Sequence, residues 1–253
     1  MNKEEWADLM IESRFNGKPK KVCSDRVPGV DLAMAYEVQA AFVKSWAENS
    51  SISGFKAALT AKAAQESMRL EDPTSGILFE EMQFPVGAAI QLNRFNRAVI
   101  ETEIGFCVSK EISREIEPGD LGAYIGYNLP MIEIADIGFD TQGSMNAYDF
   151  VAGNVAAAGY IAGQESLVAE VNEVEVTLTC DGEVLHKGKG SEVLGDQVEA
   201  ATWLINHVIR QGYIVKPDHL LMTGSLGRVQ LVTSPGAYIA DYGEFGKIEF
   251  QIV

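Results

Sequence analysis

Cysteine is scarce in this chain. Cys23, Cys107 and Cys180 stand far apart and odd in number, so neither a disulfide framework nor a CxxC metal or redox site is expected. Histidine is equally scarce, and His186, His207 and His219 form no HExxH and no closely spaced pair, which leaves zinc chemistry without ligands. No run of about 18 apolar residues occurs, so no membrane span is expected. The opening Met1-Asn2-Lys3-Glu4-Glu5-Trp6 has no apolar stretch, so no signal peptide is expected and the cytoplasm is the expected compartment. Positive charge is in deficit, with 20 Lys and Arg against 36 Asp and Glu and a formal charge of −16. Such a balance argues against nucleic acid and against anionic membrane surfaces as partners. Nucleotide motifs are missing as well. No GxGxxG follows a strand, and Gly188-Lys189-Gly190-Ser191 is no Walker loop because Lys189 precedes Gly190 rather than Ser or Thr.

What is present is enough apolar material for a full core: 47% of 253 residues are hydrophobic, which allows one large domain or a domain with a smaller appendage. The first 84 residues read as mainly helical. Lys3 to Arg14 has Trp6, Leu9 and Met10 at helical spacing, Asp31 can cap a helix reaching Trp46, and Thr60 a third reaching about Met68. Between them Ile52 to Leu59 reads as a strand. From 85 to 253 the pattern turns to strands, among them Ala88–Leu92 and Val99–Val108. Pro118-Gly119-Asp120 opens a helix expected to reach Tyr127. Met131 to Asp136 follows as a strand, and Asp181-Gly182 marks a hairpin. Asp196 can cap a helix through His207. The expected class is α+β, a β-rich body closed by helices behind a small helical N-terminal region.

Within that body, Ile100-Glu101-Thr102-Glu103-Ile104 places two carboxylates on one strand face, roughly 7 Å apart by strand rise. Open water, a basic partner or a bound cation would each relieve their repulsion. Lys56 sits in the apolar strand Gly54-Phe55-Lys56-Ala57-Ala58-Leu59 and either snorkels to the surface or enters a pocket as an anchor or proton carrier. Glu133, inside Ile132-Glu133-Ile134, is similarly ambiguous. Three carboxylates from two strands would suit Mg²⁺ or Mn²⁺, hard ions that prefer oxygen.

Six segments in order resemble the fumarylacetoacetate hydrolase superfamily, and within it the 2-oxopent-4-enoate hydratase and 4-oxalocrotonate decarboxylase branch. They are Gly54-Phe55-Lys56-Ala57-Ala58-Leu59-Thr60, Pro73-Thr74-Ser75-Gly76-Ile77-Leu78, Ile100 to Ile104, Leu129-Pro130-Met131-Ile132-Glu133-Ile134, Gly188 to Gly195, and Met222-Thr223-Gly224-Ser225-Leu226-Gly227. The resemblance implies a twisted, barrel-like β-roll body, a dimer or larger ring (or a complex with a related enzyme), and Mg²⁺ or Mn²⁺ held by Glu101, Glu103 and Glu133. It implies a small 2-oxo acid as substrate, most simply hydration of a 2-hydroxypenta-2,4-dienoate in aromatic catabolism, with Lys56 near the developing enolate. Decarboxylation, acylpyruvate hydrolysis and a weakly active partner subunit are the alternatives. By the same resemblance Thr74, Leu78, Asn154, Lys189, Ser191, Thr223 and Gly224 are expected to line the substrate.

Three departures stand out. Thr74 replaces an Asp that is a candidate acid–base group in the hydratases, which leaves Asp72 or Glu71 to act from a shifted position. Asn154-Val155-Ala156 replaces Asn-Ala-Ser, and Leu194-Gly195-Asp196-Gln197 replaces L-G-[HN]-P. The metal motif is intact while the residues around the substrate differ, which implies a different 2-oxo acid, a different second step or reduced activity.

Overall fold

The computed structural model describes residues 1–140 and 146–253. Its main sheet comprises β1 (Ile52–Ala58), β2 (Thr74–Phe79), β3 (Gln83–Phe84), β4 (Ala98–Val108), β5 (Ile125–Asp136), β6 (Gly159–Ala162), β7 (Leu220–Ser225) and β8 (Gln230–Leu231). The spatial order is β2-β1-β7-β4-β5-β6-β3, with β8 beside β4. Three strands from the first 84 residues therefore lie in the same sheet as β4, and β1 runs parallel to β7 with Lys56 opposite Met222. The expected boundary at residue 84 falls within one sheet. A second, five-stranded sheet contains the hairpin Glu175–Cys180/Glu183–Lys189 and the pair Gly236–Asp241/Lys247–Ile252. Asp181 and Gly182 both have positive φ, the backbone a two-residue hairpin turn with right-handed strand twist requires.

Helices close the sheet. The first, α1 (Lys3–Phe15), starts at Asn2 in a capping box with Glu5, and Trp6 and Met10 are fully buried. In α2 (Leu32–Trp46) Asp31 accepts from the Met34 N–H at 2.8 Å, as expected from sequence. Trp46 stacks on Phe79 of β2 with ring centroids 4.8 Å apart, which joins the helical layer to the sheet. The helices α3 (Lys62–Met68) and α4 (Ala147–Ala152) are short, and α5 (Gln197–Arg210) is capped by Asp196 and buries Ala200, Ala201, Leu204, Ile205 and Val208.

Three local expectations are corrected. Thr60 does not cap α3: Ala61 takes the N-cap position without a side-chain bond, and Thr60 packs against Gly224 instead. The stretch from Pro118 is a 3₁₀ segment ending at Ala123, because Ile125 onward is recruited as the long partner strand of β4. The strand expected over Ala88–Leu92 shrinks to Ala89–Ile90, paired with the last residues of the second sheet. No helix among the described residues is long and apolar enough to cross a membrane.

At the end of β5 the Asp136 carboxylate accepts from the backbone N–H groups of Asn96, Arg97 and Gly138, each at 2.9 Å. Burial works against its charge, but Lys20 and these three donors outweigh burial and lower its pKa. A carboxyl held below its unfolded value stabilises the fold above roughly pH 4, and that stability is lost as pH falls through the folded-state pKa. Asp136→Asn is expected to lower the urea midpoint at pH 7, and the gap from wild type is expected to narrow as pH falls below about 4. Equal midpoints at pH 7 would show that the three bonds contribute nothing.

Candidate functional site

Register places the acids. On the antiparallel pair β4–β5, Glu101 lies directly opposite Glu133, and Glu103 opposite Met131. Residues i and i+2 share a face, so all three carboxylates point to the same side of the sheet. Their oxygens converge, one from each residue lying within 4.8 Å of the others. Lys56 reaches them from β1, three strands away, which in a flat sheet would be about 14 Å. Its Nζ nevertheless lies 2.5 and 2.6 Å from the two Glu133 oxygens, so the sheet is curled with this face inward. A third contact, 3.2 Å to the Val155 carbonyl, completes the ammonium's hydrogen bonds among the described residues.

Of the readings the residue pattern left open, the solvated strand face fails. Glu103 is 0% exposed, Glu133 1% and Lys56 2%. Two buried carboxylates, Glu103 and Glu133, and a partly exposed one, Glu101, face one ammonium, and the electrostatics follow from that count. Burial raises the pKa of Glu101 despite Lys56. Glu133 is pushed up to about 7 by burial and by Glu101, against the pull of Lys56. Glu103 rises well above the usual carboxylate range, through burial and then repulsion from Glu133 and Glu101. Burial also disfavours the Lys56 ammonium, yet Glu133, Glu101 and Glu103 together raise its pKa.

Two glycines permit the arrangement. Gly224 donates its N–H to Glu103 Oε2 at 2.6 Å from a backbone at φ +124°, and a Cβ there would lie 2.5 Å from Thr60 Oγ1. A Cβ on Gly76 would lie 2.4 Å from Val155 Cγ2. The loop it admits is strained: Asn154, Val155 and Ala156 have φ of 58°, 43° and 62°, and a β-branched residue rarely adopts that region. Asn154 holds this loop by accepting from the Ile77 N–H at 2.8 Å and donating to the Ile77 carbonyl at 2.9 Å. Tyr242, from the turn that joins the last two strands of the second sheet, accepts from the Glu103 N–H at 3.2 Å and donates to the Met131 carbonyl at 2.7 Å.

The residues fit a divalent, oxygen-preferring cation. Glu103 Oε1 is buried with no hydrogen-bond partner among the described residues, the donor set is all carboxylate, and one ammonium leaves two negative charges uncompensated when all three acids are ionised. Beside the cluster opens a cavity of about 230 Å³, lined by Lys56 and Glu101 with Thr60 and Ser225, and otherwise by mostly apolar side chains.

The remaining expected residues fall elsewhere. Asp72 and Glu71 are exposed in the turn after α3 and do not line the cavity, because the left-handed Arg69 ends the helix and Pro73 then leads the chain into β2. Thr74 is buried against Ala58, with Oγ1 3.5 Å from that carbonyl, and Leu78 is buried in β2. Thr223 Oγ1 lies 2.9 Å from the Ile104 carbonyl and 2.6 Å from Gln197 Oε1, a structural tie between β7, β4 and α5. Lys189 pairs with Glu173 at 2.7 Å on the surface, and Ser191 lies in the 3₁₀ turn that follows it. Thr60, Ser225, Tyr242 and the Val155 carbonyl were not among the expected site residues. Thr60 and Ser225 do lie inside the two quoted motifs, and nothing local marks Tyr242.

No family model matches the chain. It is 27% identical over 247 residues to a 2-keto-4-pentenoate hydratase of Burkholderia vietnamiensis, covering 96% of this chain and 94% of that relative. Among solved structures, a 4-oxalocrotonate decarboxylase from Pseudomonas putida G7, complexed with magnesium and adipate, matches with TM-score 0.92 and 23% identity over 100% of this chain and 99% of that one. These likenesses support the resemblance to the fumarylacetoacetate hydrolase superfamily, in its hydratase/decarboxylase branch. A fumarylpyruvate hydrolase from Pseudomonas aeruginosa, in complex with Mn²⁺ and pyruvate, is a more distant match in structure, with TM-score 0.62 and 13% identity over 79% of this chain and 88% of that one.

The crowding of carboxylates makes a counter-intuitive prediction. Glu103→Gln keeps an acceptor for the Gly224 N–H while removing one buried charge. In chelator at pH 8 it is expected to melt above the wild type, whereas the rise in Tm that Mn²⁺ gives the wild type is expected to vanish. At a hundredfold excess over Kd that rise corresponds to about 2.7 kcal/mol. An unchanged Mn²⁺ response would remove Glu103 from the ligand set.

Proposed function

We propose that this chain is a divalent-metal-dependent lyase that hydrates a small 2-oxo acid of the 2-hydroxypenta-2,4-dienoate type. The observation that carries the reading is the convergence of Glu101, Glu103 and Glu133 with Lys56 at the polar end of an apolar cavity. The full-length likeness to a protein named 2-keto-4-pentenoate hydratase supports it. Glu101, Glu103 and Glu133 would hold Mg²⁺ or Mn²⁺, which when bound supplies Lewis-acid stabilisation of enolate charge on the substrate's 2-oxygen.

The chain's own groups do the rest. Lys56 presents an ammonium rather than a neutral amine, because two carboxylate oxygens and a carbonyl accept from it. That suits an electrostatic anchor and proton carrier and does not suit a Schiff-base nucleophile. In the reaction the dienol gives up its 2-hydroxyl proton and takes a proton at its far carbon, a tautomerisation to the conjugated ketone. Water then adds across the remaining double bond, its proton and hydroxyl both entering the product. Apolar walls keep bulk water out and strengthen the field of Lys56 on the substrate. The strained Val155 loop fixes where that ammonium points. A cytoplasmic homo-oligomer, or a complex with a related enzyme, belongs to the same proposal.

Calorimetric titration with oxalate, the chelating head of any 2-oxo acid, tests the site directly. Binding is expected only with Mg²⁺ or Mn²⁺ present and is expected to be lost in Glu101→Gln. No binding under either condition would overturn the reading. Product mass then separates the chemistries, since hydration adds water and a decarboxylase loses CO₂.

Lys56→Met should split binding from turnover. Removing the ammonium leaves the carboxylates less compensated, so Mn²⁺ is expected to bind more tightly. Turnover is expected to fall by about 10²–10⁴-fold, the usual contribution of a positioned proton-transfer group. Turnover within threefold of wild type would exclude Lys56 from the chemistry.

A further inference from the structure

We infer that the cavity selects a monoanionic 2-oxo acid with an uncharged apolar tail and rejects a second carboxylate. This rests on the proposed head-group site and concerns only what lies beyond it. Twelve of the seventeen lining residues are apolar side chains, including Leu59, Met68, Val99, Ile137, Phe150 and Val229. The charged residues among the described lining are Lys56 and Glu101 alone, and both belong to the head-group cluster. Residues 141–145, which the structure does not describe, contain no Lys, Arg or His in the sequence.

The physical consequence is one-sided. A tail methylene entering this space leaves water for apolar contact, at a gain of about fourfold in affinity each. A carboxylate entering the same space loses its hydration and meets, among the described residues, no cation other than the engaged Lys56, which outweighs the gain from the carbons that carry it. Its nearest fixed charge is the Glu101 carboxylate or an ammonium already engaged by Glu133, so electrostatics compound the penalty. The specificity-determining surface is the end of α3 at Met68, the Val99 position of β4, and Phe150 of α4. On this basis a five-carbon dienoate and its alkyl-extended analogues are accepted. The dicarboxylic acids of the size of the adipate bound by the matched decarboxylase are not.

The test is a calorimetric series on the Mn²⁺-loaded protein with oxalate, 2-oxobutanoate, 2-oxohexanoate and 2-oxoadipate. Affinity is expected to rise about fourfold per methylene from 2-oxobutanoate to 2-oxohexanoate. It is expected to be about tenfold or more weaker for 2-oxoadipate than for 2-oxohexanoate. Oxalate binding accompanied by a flat series, or by 2-oxoadipate binding as tightly as 2-oxohexanoate, overturns the tail inference and leaves the head-group site standing. Failure of oxalate to bind overturns the head-group reading itself. In Met68→Lys, a near-isosteric change at a half-buried helix end, the gap between 2-oxohexanoate and 2-oxoadipate is expected to close. A gap as wide as in wild type would refute the assignment of Met68 to the selecting wall.

Discussion

Three carboxylates and one ammonium crowd together with Glu103, Glu133 and Lys56 buried and Glu101 partly exposed, and much of the surrounding structure answers to that constraint. Coulomb repulsion between the acids is strong at low dielectric, and one lysine cannot offset it. The fold supplies what compensation a protein can: the Gly224 N–H on Glu103, the Lys56 ammonium on Glu133, and a backbone path for both. The charge left over is what a hard divalent ion would neutralise.

Curling of the sheet makes the cluster possible. Lys56 and Glu133 are three strands apart in pairing order, yet they touch. Small residues remove the steric obstacles along the way: Gly76 admits Val155, and Gly224 admits Thr60. The left-handed run at Asn154, Val155 and Ala156 costs on the order of 1–3 kcal/mol per residue, and Asn154 is tied at both ends of its amide to Ile77. The strain lies where the carbonyl of Val155 meets the site lysine, which is the kind of location where such conformations persist.

Much was legible without coordinates. Asp31 and Asp196 marked two helix starts because an N-cap needs only a short acceptor beside free N–H groups. Asp181-Gly182 marked a hairpin because positive φ at both residues matches strand twist. The E-x-E pair was legible as a shared face. Its burial was not, because the alternation of Ile100, Thr102 and Ile104 reads as a single core face, whereas helices and curled sheet cover both. Thr60 read as a cap by spacing, although its side chain was taken by Gly224 from a strand more than 160 residues away. Asp72 and Glu71 read as replacements for a missing acid, but the turn at Arg69 keeps them on the surface. Asn154 read as a substrate contact, whereas its amide is spent on Ile77.

By itself the sequence determined several local elements, such as the helix starts at Asp31 and Asp196 and the Asp181-Gly182 hairpin, and the order of the motifs whose resemblance singled out the three acids and the lysine, since period-two spacing and capping chemistry are properties of neighbours along the chain. Only the tertiary structure decided that Lys56 meets Glu133, that Glu103 is left with an oxygen unpartnered among the described residues, and that the space beside them is apolar. Those depend on strand order, register and curl. These are set by contacts between residues far apart in the chain, and no local pattern encodes them.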